Sequence, residues 1–415
     1  MNFKFIVSFF LFIFINDKKN FYANAASRPI TDWKLVRAFG MGNTSGATFN
    51  DERAVFSNPA GVNSFQKPKT QLIDGFSFLD LQFGGNTQMF SQMNLNPLTW
   101  SETLINSAQQ TPNSPSFLEI QTFPRVIIHT NSAFTILIGI AFRSVNQVVN
   151  LETSPQVAFS SLSTTSGIIT WAGSYKKGRI QYGITLRPNY RINFEQPFYN
   201  TQEGISTENV VQQIRNNATR TIAVAADAGL MITAAQQWFP TIGIAARNLP
   251  TSCTNLYTNP YTQKRRSMCG TPRQEIFKTS QNRFNESILD PTELKLSFSI
   301  TPRGKIGKTK VNMRLAAEAT PLPLEINGQN YGIDETPLET LIHAGAELYF
   351  GDFFLQKSLK LRTGIMNGKP TWGLTLPLGI FEIEYASYFE RDSLPQNDHM
   401  IFSERRHLLG LTCSW

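Results

Sequence analysis

Few residues in this chain are spaced for covalent or metal chemistry. Gly40-Met41-Gly42 opens like the glycine fingerprint of a dinucleotide site, but the next glycine is Gly46 rather than residue 45, and no strand–helix–strand unit surrounds it. Gly307-Lys308-Thr309 has the end of a phosphate loop, yet Pro302 holds the place of its first glycine, so the segment reads as a hairpin tip. His129, His343, His399 and His407 show no metal-ligand spacing with Cys253, Cys269 or Cys413. No G-x-S-x-G elbow occurs. The expectation is a protein with no catalytic residue, no metal and no cofactor, and not an enzyme.

What remains is charge and sulfur, whose meaning depends on the elements that carry them. The chain has 415 residues, 41% hydrophobic and 12% aromatic, with only 16% charged. Average soluble chains carry about 25% charged residues. So much aromatic content excludes disorder. The mean hydropathy is nevertheless −0.20, and the only long apolar run is Phe5 to Ile15. A spanning helix needs about 20 apolar residues, which excludes helical channels and transporters. The net charge of +8 is scattered, its densest cluster being Lys264-Arg265-Arg266, so no nucleic-acid partner is expected.

The N-terminus has the layout of a secretory signal, with Lys4, the apolar stretch Phe5–Ile15 and the small-x-small site Ala23-Asn24-Ala25. Residues 1–25 are therefore read as a cleaved signal peptide. Export implies an oxidising compartment. Cys253 and Cys269 share one long polar insert and are a candidate disulfide, with two free thiols as the alternative. Cys413 falls on an apolar face and reads as a small buried hydrophobe.

Period-two alternation fills the mature chain. From Arg179 to Glu195, Ile180, Tyr182, Ile184, Leu186, Tyr190, Ile192 and Phe194 share one face, opposite Gln181, Thr185, Arg187, Asn189, Arg191 and Asn193. The pattern recurs around Ile222–Ile232, Leu294–Ile300, Val311–Glu318, Leu359–Arg362, Phe381–Tyr385 and His407–Trp415. Such runs are longer than the strands of soluble sandwiches. They predict an all-β fold, a transmembrane antiparallel β-barrel with apolar residues outside and polar ones in the lumen. Lumenal charges would then be Arg187, Arg191, Asp227, Arg314, Glu318, Lys360, Arg362, Glu382 and Glu384. Two readings stand for them: paired ladders that hold the wall, or a subset of Arg and Lys that holds an acyl carboxylate. Short links are expected at Thr130-Asn131-Ser132, Lys177-Gly178, Arg303-Gly304-Lys305 and Asn367-Gly368-Lys369-Pro370. Long inserts, on the other side as extracellular loops, are expected near 84–116, 196–218, 249–292, 321–339 and 391–403. Pro97–Gln110 and Ser206–Asn216 have helical spacing.

One segment carries more. Arg37-Ala38-Phe39-Gly40-Met41-Gly42-Asn43-Thr44-Ser45-Gly46-Ala47, followed by Asp51-Glu52-Arg53 and Asn58-Pro59-Ala60-Gly61, resembles the N-terminal signature of the long-chain fatty acid transporter (FadL/TodX) family and its PorV-like relatives. The resemblance implies a barrel of about 14 strands, residues 63–415, with residues 26–62 folded into the lumen as a hatch. Gly40, Met41, Gly42, Gly46, Asn58, Pro59, Ala60 and Gly61 would form the hatch motif. Phe39, Phe49 and Phe56 would contact an apolar ligand or serve only to pack the plug. It implies passive uptake of hydrophobic molecules such as long-chain fatty acids in the outer membrane of a Gram-negative bacterium. A second role found among such relatives is assistance in protein secretion or surface assembly. Partners would be a hydrophobic small molecule or lipid, outer-membrane lipids, a secretion partner in the second role, and the barrel assembly machinery through the aromatic-ended last strand.

Overall fold

The computed structural model describes residues 33–48, 52–63, 73–92, 100–110, 115–131, 134–150, 156–176, 178–199, 207–234, 238–258, 264–277, 289–306, 309–326, 328–332, 336–354, 357–394 and 397–414. The predicted signal peptide, residues 1–25, lies outside them, as does Phe49.

The alternating stretches form a closed antiparallel barrel of 14 strands. In chain order these are β1 (Ile73–Asn86), β2 (Ser116–Thr122 continued by Arg125–Asn131), β3 (Phe134–Asn150), β4 (Gln156–Tyr175), β5 (Ile180–Tyr199), β6 (Thr219–Thr233) and β7 (Thr241–Arg247). Then follow β8 (Glu293–Ile300 continued by Arg303–Ile306), β9 (Thr309–Leu322), β10 (Ile342–Phe354), β11 (Lys357–Met366), β12 (Lys369–Leu378), β13 (Phe381–Leu394) and β14 (Asn397–Ser414). Each pairs with its neighbour, and β1 closes on β14 with Leu81 opposite Leu411. No helix among the described residues is long and apolar enough to cross a membrane.

Alternation sorts the residues by face. On β5, Thr185, Arg187 and Asn193 are buried in the lumen, while Ile184 and Leu186 are each 48% exposed outside. Ile138, Ile140, Ile169, Trp171, Ile242, Leu296, Leu361, Trp372 and Leu409 continue the outer apolar belt around the barrel. This is the arrangement a lipid surround requires, because a charge facing hydrocarbon costs about 2–4 kcal/mol at mid-depth.

Wall height varies. β4 and β5 have 20 residues each, β11 and β12 have 10, and β7 has 7. At about 3.3 Å per residue and a tilt of about 40°, these strands rise by roughly 50, 25 and 18 Å. An outer-membrane apolar band is about 25 Å tall.

The inserts differ from expectation in three ways. Residues 391–403 are not a loop: β13 and β14 run on as a hairpin to Leu394 and from Asn397. Alternation fades there because above the membrane the outer face has no need to be apolar. The link between Met366 and Lys369 joins β11 to β12 at the same end as the long inserts, not at the end of the short turns. Arg303-Gly304-Lys305 is strand, paired with Lys310–Asn312, rather than a link.

The helical inserts are Thr87–Gln92, Trp100–Gln110 and Thr207–Asn217. The last two packed elements bury Leu118, Val148, Val157, Phe159 and Phe194 together with Leu104, Ile105, Ala108 and Ala218. By strand parity these wall residues point outward, so the helices lie against the outside of the barrel at its loop end. Above the lipid belt, the chain covers its own apolar outer face. A smaller sheet of Ser252–Thr258, Arg265–Pro272, Leu289–Pro291, Glu325–Ile326 and Gln329–Asn330 folds from the other inserts. Cys253 and Cys269 are opposite residues in it and are joined by a disulfide.

Candidate functional site

The lumen is occupied by the N-terminal segment. Its sequence makes only short turns: helix Val36–Gly40 and 3-10 turns Glu52–Phe56 and Pro59–Val62. Gly42 and Asn43 adopt positive φ, 70° and 65°, and end the first helix, with Asn43 N–H donating to Ala38 O at 2.6 Å. Asn58 caps the last turn by accepting from Ala60 N–H at 3.1 Å, with Pro59 at the first turn position. Asn58 Nδ2 also donates to Gly46 O at 2.6 Å, tying the two motif halves together.

The wall receives this segment on glycines. An added Cβ on Gly345 would strike Met41 O, and one on Gly243 would strike Gly46 O. A Cβ on Gly183 would lie 2.5 Å from the Pro59 carbonyl carbon, and one on Gly373 would lie 3.0 Å from Gly40 Cα. Motif glycines and wall glycines thus meet backbone to backbone. Gly61 is pressed the same way against Thr48 O and Ala54, within the segment itself, and Ala60 packs on Met231 of β6.

Charge holds the segment from several sides. Arg53 Nε and Nη2 donate to Asp80 at 3.0 and 2.9 Å, and its Nη1 also meets Glu384. Asp80 pairs with Arg125 as well, and Arg125 Nε donates to Glu52 at 2.7 Å. Arg37 donates to Glu347 at 3.2 and 2.8 Å and to the Tyr349 hydroxyl at 2.8 Å. Lys34 meets Glu390, Glu119 at 3.4 Å and the Tyr388 hydroxyl at 3.3 Å, with its ammonium 4.8 Å from the Phe117 ring centre. Burial pushes the Lys34 ammonium below the ordinary lysine range, against the opposing pull of Glu390 and Glu119. Glu318 accepts the backbone N–H groups of Ser45 and Gly46 at 2.9 and 2.8 Å.

The aromatic candidates are packed against the wall. Phe39 meets Tyr388 edge-on at 4.6 Å in a cluster with Val36, Met366 and Leu408. Phe56 stacks on Trp33 at 4.7 Å and meets Phe123 edge-on at 4.9 Å. That cluster continues along the inner faces of β2 to β4 through Ile127, Leu137, Ala141, Ile168 and Ala172. It is an apolar seam between the segment and the wall. Beside it the β1–β2 pairing shifts register, from Leu81 opposite Thr122 to Ser77 opposite Arg125, where Phe123-Pro124 intervenes.

The barrel has solved structures of similar fold. A mutant of the monoaromatic hydrocarbon channel TodX superposes with a TM-score of 0.50 at 9% identity, over 92% of this chain and 99% of its own. The fold is that of the TodX channel. The Pseudomonas putida toluene transporter TodX (TM-score 0.47, 10% identity, 93% and 99% covered) and a Pseudomonas aeruginosa FadL homologue (0.45, 11%, 94% and 99%) are also similar. At these identities the likeness concerns fold alone. No protein-family profile matches the sequence, and no curated protein does.

Within this TodX-like fold the lumenal charge candidates are all ion-paired. Arg187 donates to Asp227 through Nε at 2.7 Å and Nη2 at 2.9 Å. Arg191 reaches Asp290 at 3.6 Å, and Lys360 reaches Glu382 at 2.9 Å. Arg362 lies 2.9 Å from Glu347 and 3.4 Å from Glu384, while Arg314 lies 3.5 Å from Glu347. Glu318 pairs with Lys295 at 3.5 Å. Most of these pairs are buried; Lys360–Glu382 is the more open one. Sequence reasoning missed Lys34, Arg37 and Arg53 as anchors, and Asp80, Glu119, Glu347 and Glu390 as their partners. The available signal was sign: the segment's cations stand against carboxylates on the polar faces of β1, β2, β10 and β13.

Proposed function

We propose that this protein is an outer-membrane barrel for passive uptake of hydrophobic molecules. One observation carries the reading: the apolar seam of Trp33, Phe56, Phe123, Ile127, Leu137 and Ile168 runs between the lumenal segment and the wall, while the flanking lumen is lined by ion pairs. An apolar solute would follow that seam and leave where the β1–β2 pairing is irregular. The TodX-like fold, whose named counterparts are a toluene transporter and a monoaromatic hydrocarbon channel, is consistent with this. In this reading residues 26–62 act as the hatch, residues 1–25 direct export and are cleaved, and β14 is the element that the barrel assembly machinery engages. The test is uptake of labelled hydrophobic solute, a long-chain fatty acid or an aromatic hydrocarbon, into proteoliposomes. Absence of binding at micromolar solute sinks the reading.

A second reading, assistance in secretion or surface assembly, draws on one feature. The short strand Gln274–Phe277 pairs only with β6 among the described residues, and Ile276 and Phe277 on it are exposed. An apolar edge strand is a template for another chain. Co-purification of a secreted protein from detergent supports this role, and its absence with uptake intact removes it.

A further inference from the structure

Arg405 and Arg406 are neighbours on β14 and face opposite ways, as strand alternation requires. Arg406 points into the lumen, where it pairs with Glu390 and lies over the Phe117 ring at 3.7 Å. Arg405 points outward, on the same face as His407 and Leu409. Its guanidinium lies over the Phe389 ring at 4.5 Å and donates through Nη1 to Ser387 Oγ at 2.9 Å. Among the described residues it has no carboxylate partner. The lumenal arginines Arg37, Arg53, Arg187 and Arg362 each have one.

Depth explains the difference. Phe389 is the residue opposite Arg405. From the exposed turn at Phe381, β13 reaches Phe389 after a rise of about 20 Å, near the top of an apolar band of about 25 Å. Arg405 therefore stands at the level of lipid head groups on the loop side. Below it the outer face is aromatic and apolar. Trp372 and Leu409 are exposed there, and Trp372 meets Tyr385 at 4.8 Å. The Tyr385 hydroxyl shares a hydrogen bond with His407 Nδ1 at 2.6 Å, and Thr87 Oγ1 shares one with His407 Nε2 at 2.9 Å. Phe90 meets the His407 ring edge-on at 6.0 Å and bounds the patch toward the helical insert. Both ring nitrogens of His407 are thus engaged, while Arg405 keeps Nε and Nη2 for a partner outside the chain.

We propose that Arg405 anchors a membrane lipid with a phosphate head group on the outside of the barrel. The Phe389 ring and the Ser387 hydroxyl hold the guanidinium plane, so its open fork meets two phosphate oxygens with little further ordering. The acyl chains run down the wall over Trp372 and Leu409, in the belt where an aromatic ring at head-group level meets lipid. A lumenal arginine must find its countercharge in the protein, because burial leaves no other source. At the edge of the band the bilayer supplies it. The site rests on the outer-membrane placement proposed above, and not on uptake.

The test is equilibrium binding of dioleoyl phosphatidic acid and dioleoylglycerol to the full-length protein in maltoside micelles, read by native mass spectrometry. The site predicts that phosphatidic acid binds at least about ten-fold tighter than the diacylglycerol. Arg405→Gln removes that difference, and Arg405→Lys, which keeps the charge without the fork, retains part of it. Lys369→Gln, which takes an exposed cation from the β11–β12 link, leaves it intact. Equal binding of the two lipids by the unaltered protein overturns the site, however the variants fold. A difference that persists in Arg405→Gln overturns it as well, and so does an equal loss in Lys369→Gln, which would mean attraction to net charge. Displacement of phosphatidic acid by equimolar inorganic phosphate makes this a free-anion site and also overturns the proposal. Hydrocarbon uptake into proteoliposomes is expected to be the same in Arg405→Gln, so loss of the lipid site leaves the uptake reading standing, and failure of uptake with lipid binding intact removes that reading alone.

Discussion

Arg53 and Asp80 meet inside the barrel as a forked pair, at 3.0 and 2.9 Å, and join the lumenal segment to the first wall strand. Both side chains are buried. Asp80 is also bound by Arg125, and Arg53 by Glu384, so the pair sits at the centre of a four-residue chain of alternating charge.

Removing Arg53 takes away the cation that Asp80 and Glu384 share, while Asp80 keeps Arg125 and Glu384 keeps Arg362. Arg53→Ala therefore costs less than a pair broken with no second partner, about 1.5–3 kcal/mol for the lost charge-assisted bonds. Urea unfolding of the barrel in lipid vesicles reads this directly. Arg53→Lys, which keeps charge but loses the fork, falls between the two. An unchanged midpoint for Arg53→Ala means that the pair does not hold the segment.

The wall glycines make a prediction of opposite sign to strand propensity. Valine favours strands over glycine, so Gly345→Val on an open wall would be neutral or stabilising. Here its Cβ would meet Met41 O, and destabilisation of about 1–3 kcal/mol is expected from overpacking. The thermal midpoint of heat-modifiable migration checks it. A rise in that midpoint contradicts the backbone-to-backbone seat.

The seam is sensitive to polarity. Leu137→Gln places an amide in a fully buried apolar position, at a cost of about 1–3 kcal/mol without a partner. The initial rate of hydrocarbon uptake is expected to fall about ten-fold. Lys360→Gln, in the more open pair remote from the seam, is expected to leave the rate unchanged. Equal rates in both variants place the path elsewhere.

The helices outside the barrel fix its depth. Asn106 and Gln213 are exposed on their helices, and Ile140 and Leu186 on the belt. Spin labels at Asn106→Cys and Gln213→Cys should be reached by a water-soluble nickel chelate. Those at Ile140→Cys and Leu186→Cys should be reached by lipid-dissolved oxygen. Oxygen access at the helix positions puts the helices in the hydrocarbon and refutes the assigned height.

Much of the fold was legible because a lipid surround forces a local rule. On β5, Ile184 and Leu186 had to alternate with Thr185 and Arg187 wherever the strand crosses hydrocarbon, and that alternation is written in adjacent residues. The rule lapses above the membrane, which is why the continuation of β13 and β14 read as a loop. The helices near 100–110 and 207–217 were legible by spacing. Their position on the outside of the wall was not, since an amphipathic helix shows which face it buries but not against what.

By itself the sequence determined the barrel and its inward and outward faces. The closed tertiary structure decided everything that joins distant residues: Arg53 to Asp80 and Glu384, Arg37 to Glu347, Met41 to Gly345, Asp290 to Arg191. The reason is physical. Periodicity is a property of neighbours along one strand, whereas a buried charge takes its partner from whichever strand closure brings opposite, and that partner stands up to several hundred residues away.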